Sequence, residues 1–205
     1  MTSSQTHPLN YNQRFQGYLP VVIDIETGGV NPQTDAILEI AAVFLGLDKH
    51  GVLTPIDTDT YHVLPFEGAK LHEEAMKIHN IDPYHPFRLA KPEADILPEL
   101  YKNVDQHVKK AGCRRAVLVG HNAHFDLSFI NAAKHRLNIT DTPFHSFTCF
   151  DTATLGAVHY GKTVLAKALC AAGIDYDKDK AHGALYDAQI TAELFCQIIN
   201  NTPLH

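Results

Sequence analysis

The chain has 205 residues, of which 45% are hydrophobic and 20% charged, as is ordinary for a globular protein with one full-sized core. Its formal charge of −6 argues against indiscriminate nucleic-acid binding, so any contact with a polyanion must come from a local basic cluster. No apolar run approaches a membrane span, and the four scattered cysteines argue against a zinc knuckle or a disulfide framework. We therefore expect one soluble, cytoplasmic domain over residues 1–205, with no membrane contact and a loosely ordered segment at 1–16.

The first predicted strand, residues 21–27, carries two acids in an otherwise apolar segment. Because strand side chains alternate in direction, Asp24 and Glu26 should point to one face, about 7 Å apart. Two carboxylates on such a face stay ionised at low cost only if a cation or a hydrogen-bond donor compensates them. The pair alone is more typical of solvated acids on an edge strand, so a metal site requires further acids.

The next part of the chain alternates between strand and helix patterns. Apolar and β-branched residues predict strands at 36–47 and 60–64, which would form an antiparallel meander with the first strand. A short helix is predicted at 70–79, and apolar residues at helical spacing predict a longer one at 93–110. Together with the alternating elements that follow, this order indicates an α/β fold with a mixed sheet flanked by helices.

Two further acids lie near the starts of predicted helices. A short strand at 116–119 leads into a helix at 125–137, where Asp126 shares the apolar stripe and should face the core. Asp187 has a similar position in the closing helix, residues 184–199. An alternative for Asp126 is a simple N-terminal acid that the helix dipole favours.

If they converge, the four acids carry a charge that two divalent ions offset, and such ion pairs catalyse in-line attack at phosphorus. Ligands that are all oxygen favour Mg²⁺ or Mn²⁺ over zinc. His182 lies in the loop before the closing helix, where a neutral imidazole could accept the proton of an attacking water. A lone loop histidine is more often simply exposed.

Three segments carry a family resemblance: Ile-Asp-Ile-Glu-Thr-Gly at 23–28, His-Asn-Ala-His-Phe-Asp at 121–126, and the His-x-x-x-x-Asp spacing at 182–187. Their order and spacing resemble the three motifs of the DEDDh family of 3′–5′ exonucleases across nearly the whole chain. The resemblance implies a ribonuclease H-like fold, here with a mixed five-stranded sheet. It also implies release of nucleoside 5′-monophosphates, His182 as general base, and metal ligation by Asp24, Glu26, Asp126 and Asp187.

Shorter segments at 38–42, 80–83, 111–113 and 143–145 most resemble one branch of that family. Its members are homodimers that trim the 3′ ends of tRNA and other stable RNAs and also degrade single-stranded DNA. The resemblance therefore implies a homodimer that acts on RNA 3′ ends and single-stranded DNA, with two Mg²⁺ (or Mn²⁺) per subunit.

The same branch implies residues that hold the nucleic acid. Phe125 and Phe147 match a wedge that stacks on terminal bases, while Val30 and Ile78 stand where the branch commonly has phenylalanine. Glu74 matches an acid that lines the site. A basic patch that would serve the active site of the partner subunit comprises Arg14, Lys109, Lys110, Arg114 and Arg115.

Other functions stay open at this point. Residues 156–163 fit the P-loop pattern G-x-x-x-x-G-K-[ST], but they do not directly follow the predicted strand at 147–150, as a phosphate-binding loop must. They lead instead into a predicted helix at 163–172. A DNA-proofreading exonuclease of the same family is a nearer alternative. A non-catalytic RNA-binding module is a third, although a complete set of four acids and a histidine argues against it.

Overall fold

The computed structural model describes residues 10–202. Its strands are β1 (Tyr18–Thr27), β2 (Ile37–Leu47), β3 (Leu53–Leu64), β4 (Lys91–Pro92), β5 (Arg115–Gly120) and β6 (Phe144–Asp151). Its α-helices are α1 (Tyr11–Phe15), α2 (Glu73–His79), α3 (Glu93–Lys110), α4 (His124–Arg136), α5 (Thr152–Tyr160), α6 (Leu165–Ala172) and α7 (Ala184–Asn201). Within this part of the chain, no helix is both long and apolar enough to cross a membrane.

The strands form one mixed sheet in the order β4-β3-β2-β1-β5-β6. Strands β1, β2 and β3 pair antiparallel, whereas β5 and β6 run parallel to β1. The predicted meander and the mixed sheet with flanking helices are confirmed. The sheet has six strands rather than five, because the two residues of β4 pair with the end of β3 and are too short for a sequence pattern to reveal.

The central strand β1 lies between β2 and β5, which explains its apolar sequence. Val21, Val22 and Ile23 are completely buried. Burying each such side chain contributes about 1.5–3 kcal/mol. The helices α3 and α7 pack their apolar sides against the sheet, while α5 and α6 pack against α7. The site residues at the carboxyl end of β1 are thus attached to the most firmly packed part of the fold.

The segment before β1 differs from the prediction of loose order. Residues 11–15 form α1, whose N-cap Asn10 accepts a hydrogen bond from a backbone amide. Tyr11 and Phe15 are buried, and the Tyr11 hydroxyl donates to the carbonyl of Leu45 at 2.7 Å. Phe15 also stacks on Phe195 in α7. The prediction is therefore wrong for residues 10–16, because these stabilising contacts are distant in sequence; residues 1–9 lie outside the described part.

The region of the P-loop pattern contains a helix that the sequence analysis did not predict, since α5 occupies residues 152–160. Gly156 lies within this helix, and a Cβ there would approach the carbonyl oxygen of Lys162 to 2.8 Å. Gly161 ends the helix with a left-handed φ of 65°. Because the amides of the pattern belong to a helix and its cap, they cannot wrap a phosphate group, and the P-loop hypothesis is wrong.

Candidate active site

Three carboxylates meet at the end of the central strand. Asp24 and Glu26 emerge from β1 on one face, as the alternation of the strand requires. Asp187 comes from the first turn of α7, which packs against β1. One oxygen of each carboxylate lies within 4.8 Å of those of the other two. The tertiary structure therefore brings together acids that are separated by about 160 residues in the sequence.

The carboxylate of Asp187 is only half satisfied by hydrogen bonds. Its Oδ2 accepts the backbone amide of His182 at 3.0 Å. Its Oδ1 is buried and has no hydrogen-bond partner among the described residues. A buried carboxylate oxygen without a donor is costly, and a cation between the three acids would satisfy it.

Asp126, the fourth predicted acid, is 5% exposed in the first turn of α4. Its charge raises the pKa of both Asp24 and Glu26, so it lies near these two acids of β1, although it is not part of the group of three whose oxygens lie within 4.8 Å of one another. Gly120, at the end of β5, makes room for it, since a Cβ there would lie 3.1 Å from Asp126 Oδ2. The backbone amides of Asp126 itself and of Ile25 stabilise its ionised form. The prediction that Asp126 faces inward is confirmed.

The pKa of each of the four acids is raised above its usual value. Burial is the largest cause for each, and mutual repulsion adds to it for Asp24 and Glu26. The pKa of Glu26 rises to about 8, as does that of Asp126. The pKa of Asp24 is raised well above its usual range. Clustered oxygen donors that repel one another fit a hard divalent cation such as Mg²⁺ or Mn²⁺.

His182, the predicted general base, lies in the exposed loop before α7 with a left-handed φ of 63°. The hydrogen bond that its backbone amide donates to Asp187 connects the loop to the acids. Its charge also lowers the pKa of Asp187, although burial, which raises that pKa, is the larger effect. The role of the exposed His182 side chain as general base stays a prediction.

A histidine that the sequence reasoning missed positions one wall of the site. His79, the last residue of α2, accepts the amide of Ile81 at Nδ1 (3.1 Å), so its proton lies on Nε2. Nε2 is 3.2 Å from the carbonyl oxygen of Thr27, at the end of β1. This bond holds α2, and with it Glu74 and Ile78, against the strand of the acids. No sequence signal distinguishes this histidine from the other thirteen.

The predicted stacking residues lie largely on the surface. Val30 is 82% exposed, Phe147 79% and Ile78 57%. Phe125 is half-buried, with its ring 4.9 Å from that of Phe129. Exposed apolar side chains of this size are available for bases to stack on. Their action as one wedge stays a prediction, as does a role for the exposed Glu74.

Two of the predicted basic residues have structural contacts. The Arg14 guanidinium donates to the carbonyl oxygens of Ile199 and, at 2.9 Å, Thr202, and so caps the C-terminus of α7. Arg114 donates to the Gln16 carbonyl and lies over a tyrosine ring. Arg14 is thus partly buried and held by contacts within the chain, and its role in nucleic-acid binding stays a prediction.

The remaining cations of the predicted patch stay on the surface. Lys109 forms an i,i+4 ion pair with Asp105. Lys110 and Arg115 are exposed, and no ion pair involves them within residues 10–202. Arg114 is exposed as well, so four of the five predicted cations lie on the surface, and their contact with nucleic acid stays a prediction.

Asp35 was also missed, and it shapes the loop after β1. This acid is 1% exposed and accepts the amide of Asn31 at 2.9 Å and the hydroxyl of Thr34 at 2.7 Å. Gly29 packs so tightly against it that any side chain there would overlap the carboxylate. The loop that carries Val30 is therefore fixed.

Asp151 fixes the loop that precedes Asp126. As N-cap of α5 it accepts amides of its own helix, and its Oδ1 also accepts the amide of Asn122 at 2.8 Å. Asn122 has a left-handed φ of 64°, a conformation that needs such support. An aspartate before a helix is a recognisable N-cap signal, so α5 could have been found from it.

The sheet order and the flanking helices define a ribonuclease H-like fold. The chain is similar in structure to Escherichia coli exonuclease I in complex with a dT13 oligonucleotide, with a TM-score of 0.69 and 17% identity, over 88% of this chain and 41% of that one. It is also similar to a 3′-exonuclease that recognises a histone mRNA stem-loop, with a TM-score of 0.71 and 18% identity, over 100% of this chain and 71% of that one.

Sequence relatives narrow the assignment, since an exonuclease family model matches residues 21–195. Ribonuclease T of Vibrio campbellii is 52% identical over 197 residues, which cover 96% of this chain and 92% of that protein. Ribonuclease T of Hahella chejuensis is 50% identical over 201 residues, which cover 98% and 92%. The chain belongs to the ribonuclease T family of exonucleases.

Proposed function

We propose that this chain trims the 3′ ends of tRNA and other stable RNAs, and also degrades single-stranded DNA, by metal-dependent hydrolysis that releases nucleoside 5′-monophosphates. The observation that supports this best is the trio of Asp24, Glu26 and Asp187 with its unsatisfied buried oxygen, beside Asp126. The name of the relatives, ribonuclease T, supports RNA as a substrate, whereas tRNA ends and single-stranded DNA are what the resemblance of the sequence motifs implies. Such substrates imply a cytoplasmic protein.

In this proposal the four acids hold two Mg²⁺ or Mn²⁺ ions. When bound, these ions supply positive charge for the developing phosphorane and lower the pKa of the attacking water. His182 accepts the proton of that water, and Asp187 keeps the histidine loop in place through its bond to the His182 amide. Asp151 fixes the loop at Asn122 that precedes Asp126, and Gly120 leaves room for the Asp126 carboxylate.

In this proposal, exposed apolar residues bind the terminal bases of the substrate. Phe125 and Phe147 can stack on the terminal bases, and each stacked base contributes about 1–3 kcal/mol. Val30 and Ile78 are aliphatic side chains, which can cover a base but have no π-face of their own. Discrimination among terminal bases should therefore be weaker at these positions. We infer a homodimer in which Lys110, Arg114 and Arg115 hold RNA that enters the site of the partner subunit.

A digest of end-labelled substrates tests the proposal. Single-stranded and duplex RNA and DNA, and a tRNA with extra 3′ nucleotides, are incubated with Mg²⁺ or with EDTA. We expect stepwise shortening from the 3′ end of RNA with Mg²⁺, release of 5′-monophosphates, and no cleavage with EDTA. Cleavage in EDTA or from the 5′ end would refute the proposal, and a preference for mismatched DNA 3′ ends would favour proofreading.

Variants link this activity to the site. Asp24→Asn should abolish hydrolysis, because it removes one oxygen charge from the metal ligands. Asp95→Asn is the matched control, since Asp95 is an exposed acid in the first turn of α3, away from the site. Equal activity of the two variants would show that the acids of β1 do not carry the reaction.

A further inference from the structure

A surface groove of about 600 Å³ lies between α6 and residues 173–178. We call it the α6 groove. Apolar parts of Cys170, Ile174 and Tyr176 line it, and Ile174 and Tyr176 are half-buried. The apolar wall suits the flat face of a base rather than a strongly hydrated ligand.

Three exposed lysines, Lys162, Lys167 and Lys178, also line the α6 groove, against a single acid, Asp175. None of the three lysines forms an ion pair within residues 10–202. The groove is thus locally positive on a chain with a net charge of −6. Free cations on an otherwise acidic protein favour a polyanionic ligand.

The α6 groove is in contact with α7, the helix that carries Asp187. The ring of Tyr176 is 6.2 Å from that of Tyr186, the neighbour of Asp187 in α7, and the Tyr186 hydroxyl accepts the amide of Asp177. Near the start of α6, the carbonyl of Thr163 is 2.8 Å from Nε2 of His121, at the end of β5. Both contacts connect the elements of the groove to elements that carry the acids.

We propose that the α6 groove binds the unpaired substrate strand upstream of the nucleotide being removed, within the same subunit. The lysines contact phosphates, and a base lies on the apolar wall at Tyr176. This inference rests on the proposed exonuclease function and adds a binding surface to it. An acidic protein segment would also suit the charge, but the substrate strand is the polyanion that the proposed function brings to this subunit.

The first test measures binding of a single-stranded RNA of about 12 nucleotides as salt is raised, in an Asp24→Asn background that does not cleave. The double variant Lys167→Gln/Lys178→Gln should lower the slope of log K against log salt by about 1.4, at about 0.7 per lost phosphate contact. The matched control, Lys49→Gln/Lys91→Gln, removes the same charge from exposed positions elsewhere. Equal slopes for the two variants would refute the proposal.

The second test uses Cys170 as a reporter in the same background. Cys170 is exposed, whereas Cys113 and Cys149 are half-buried and Cys196 is buried. The long strand should slow maleimide labelling of Cys170, and a dinucleotide that reaches only the acids should not. An unchanged labelling rate at saturating RNA would refute binding of the strand in the α6 groove. Protection of Cys170 by polyglutamate without protection by RNA would refute it as well.

The strand-binding role of the α6 groove and the proposed exonuclease function can be refuted independently. In the cleaving protein, the groove variant should lower kcat/KM for the long strand more than for a dinucleotide. A similar loss for both substrates would refute binding of the strand in the groove but would not contradict the proposed exonuclease function. No cleavage of any nucleic acid by the unmodified chain with Mg²⁺ would instead refute the proposed function.

Discussion

Glu26→Gln should stabilise the protein in the absence of metal, and the gain should grow with pH. The pKa of Glu26 is raised from 4.5 to about 8, first by burial and then by the charges of Asp187, Glu39 and Asp126. Between these values the folded chain keeps a proton that the unfolded chain has lost. Stability that is present below pH 4.5 is therefore lost as the pH rises towards 8. Glutamine does not titrate, so the variant avoids this loss.

The size of the effect follows from two estimates. The pKa difference corresponds to at most about 5 kcal/mol, at about 1.4 kcal/mol per pKa unit. Two charges 4.8 Å apart repel by about 3 kcal/mol at an effective dielectric constant of about 20. Because Glu26 keeps some contact with solvent, which screens its charge, we expect a gain of about 1–3 kcal/mol at pH 9. For a chain of this size that raises Tm by about 3–9 °C.

The assay is thermal unfolding with EDTA from pH 5 to pH 9. Asp35→Asn is a control for which we expect the opposite change in stability. Burial alone would raise the pKa of Asp35, but hydrogen bonds from Thr34, Asn31 and His72 outweigh it and lower that pKa. This control should be less stable than the unmodified chain at neutral pH, and its deficit should shrink in acid.

Two results would refute the reasoning for Glu26. The first is a Glu26→Gln variant that is less stable at every pH, which would make Glu26 a structural hydrogen-bonding residue. The second is an unchanged difference in Tm between pH 5 and pH 9, which would show that Glu26 ionises as freely as in the unfolded chain. In the unmodified chain, Mg²⁺ should raise Tm most at high pH, where the acids are ionised.

Four further predictions concern activity. His182→Ala should lower kcat by about 10²–10⁴ while RNA binding persists, and a pH–rate profile identical to that of the unmodified chain would exclude a general base at this position. Val30→Phe adds a ring on an 82% exposed side chain, so it should change the terminal base at which digestion stalls, without the loss of Tm that overpacking of a core residue would cause. Asp151→Asn should reduce kcat and lower Tm by weakening the support of the loop at Asn122, and normal kinetics would show that this loop holds Asp126 unaided. Lys110→Ala/Arg115→Ala should raise KM for long RNA. If RNA is held across subunits, mixing an excess of this variant with the Asp24→Asn variant should restore activity. No rescue after confirmed subunit exchange would contradict that arrangement.

Local periodicity was sufficient to predict much of the fold and the direction of the acids. The two-residue repeat of β1 places Asp24 and Glu26 on one face, and the helical repeat turns Asp126 inward, because these directions follow from backbone geometry alone. The strands at 36–47 and 116–119 were found for the same reason, since their burial demands continuous apolar sequence.

The tertiary structure alone decided which distant groups meet. Only the packing of α7 on β1 brings Asp187 to Asp24 and Glu26, so the raised pKa values could not be derived from spacing. In the same way, α1 is ordered by the burial of Tyr11 and Phe15 against residues far along the chain. Local sequence determines how a side chain is directed within its element, whereas the desolvation and the charges that act on it depend on the elements packed around it.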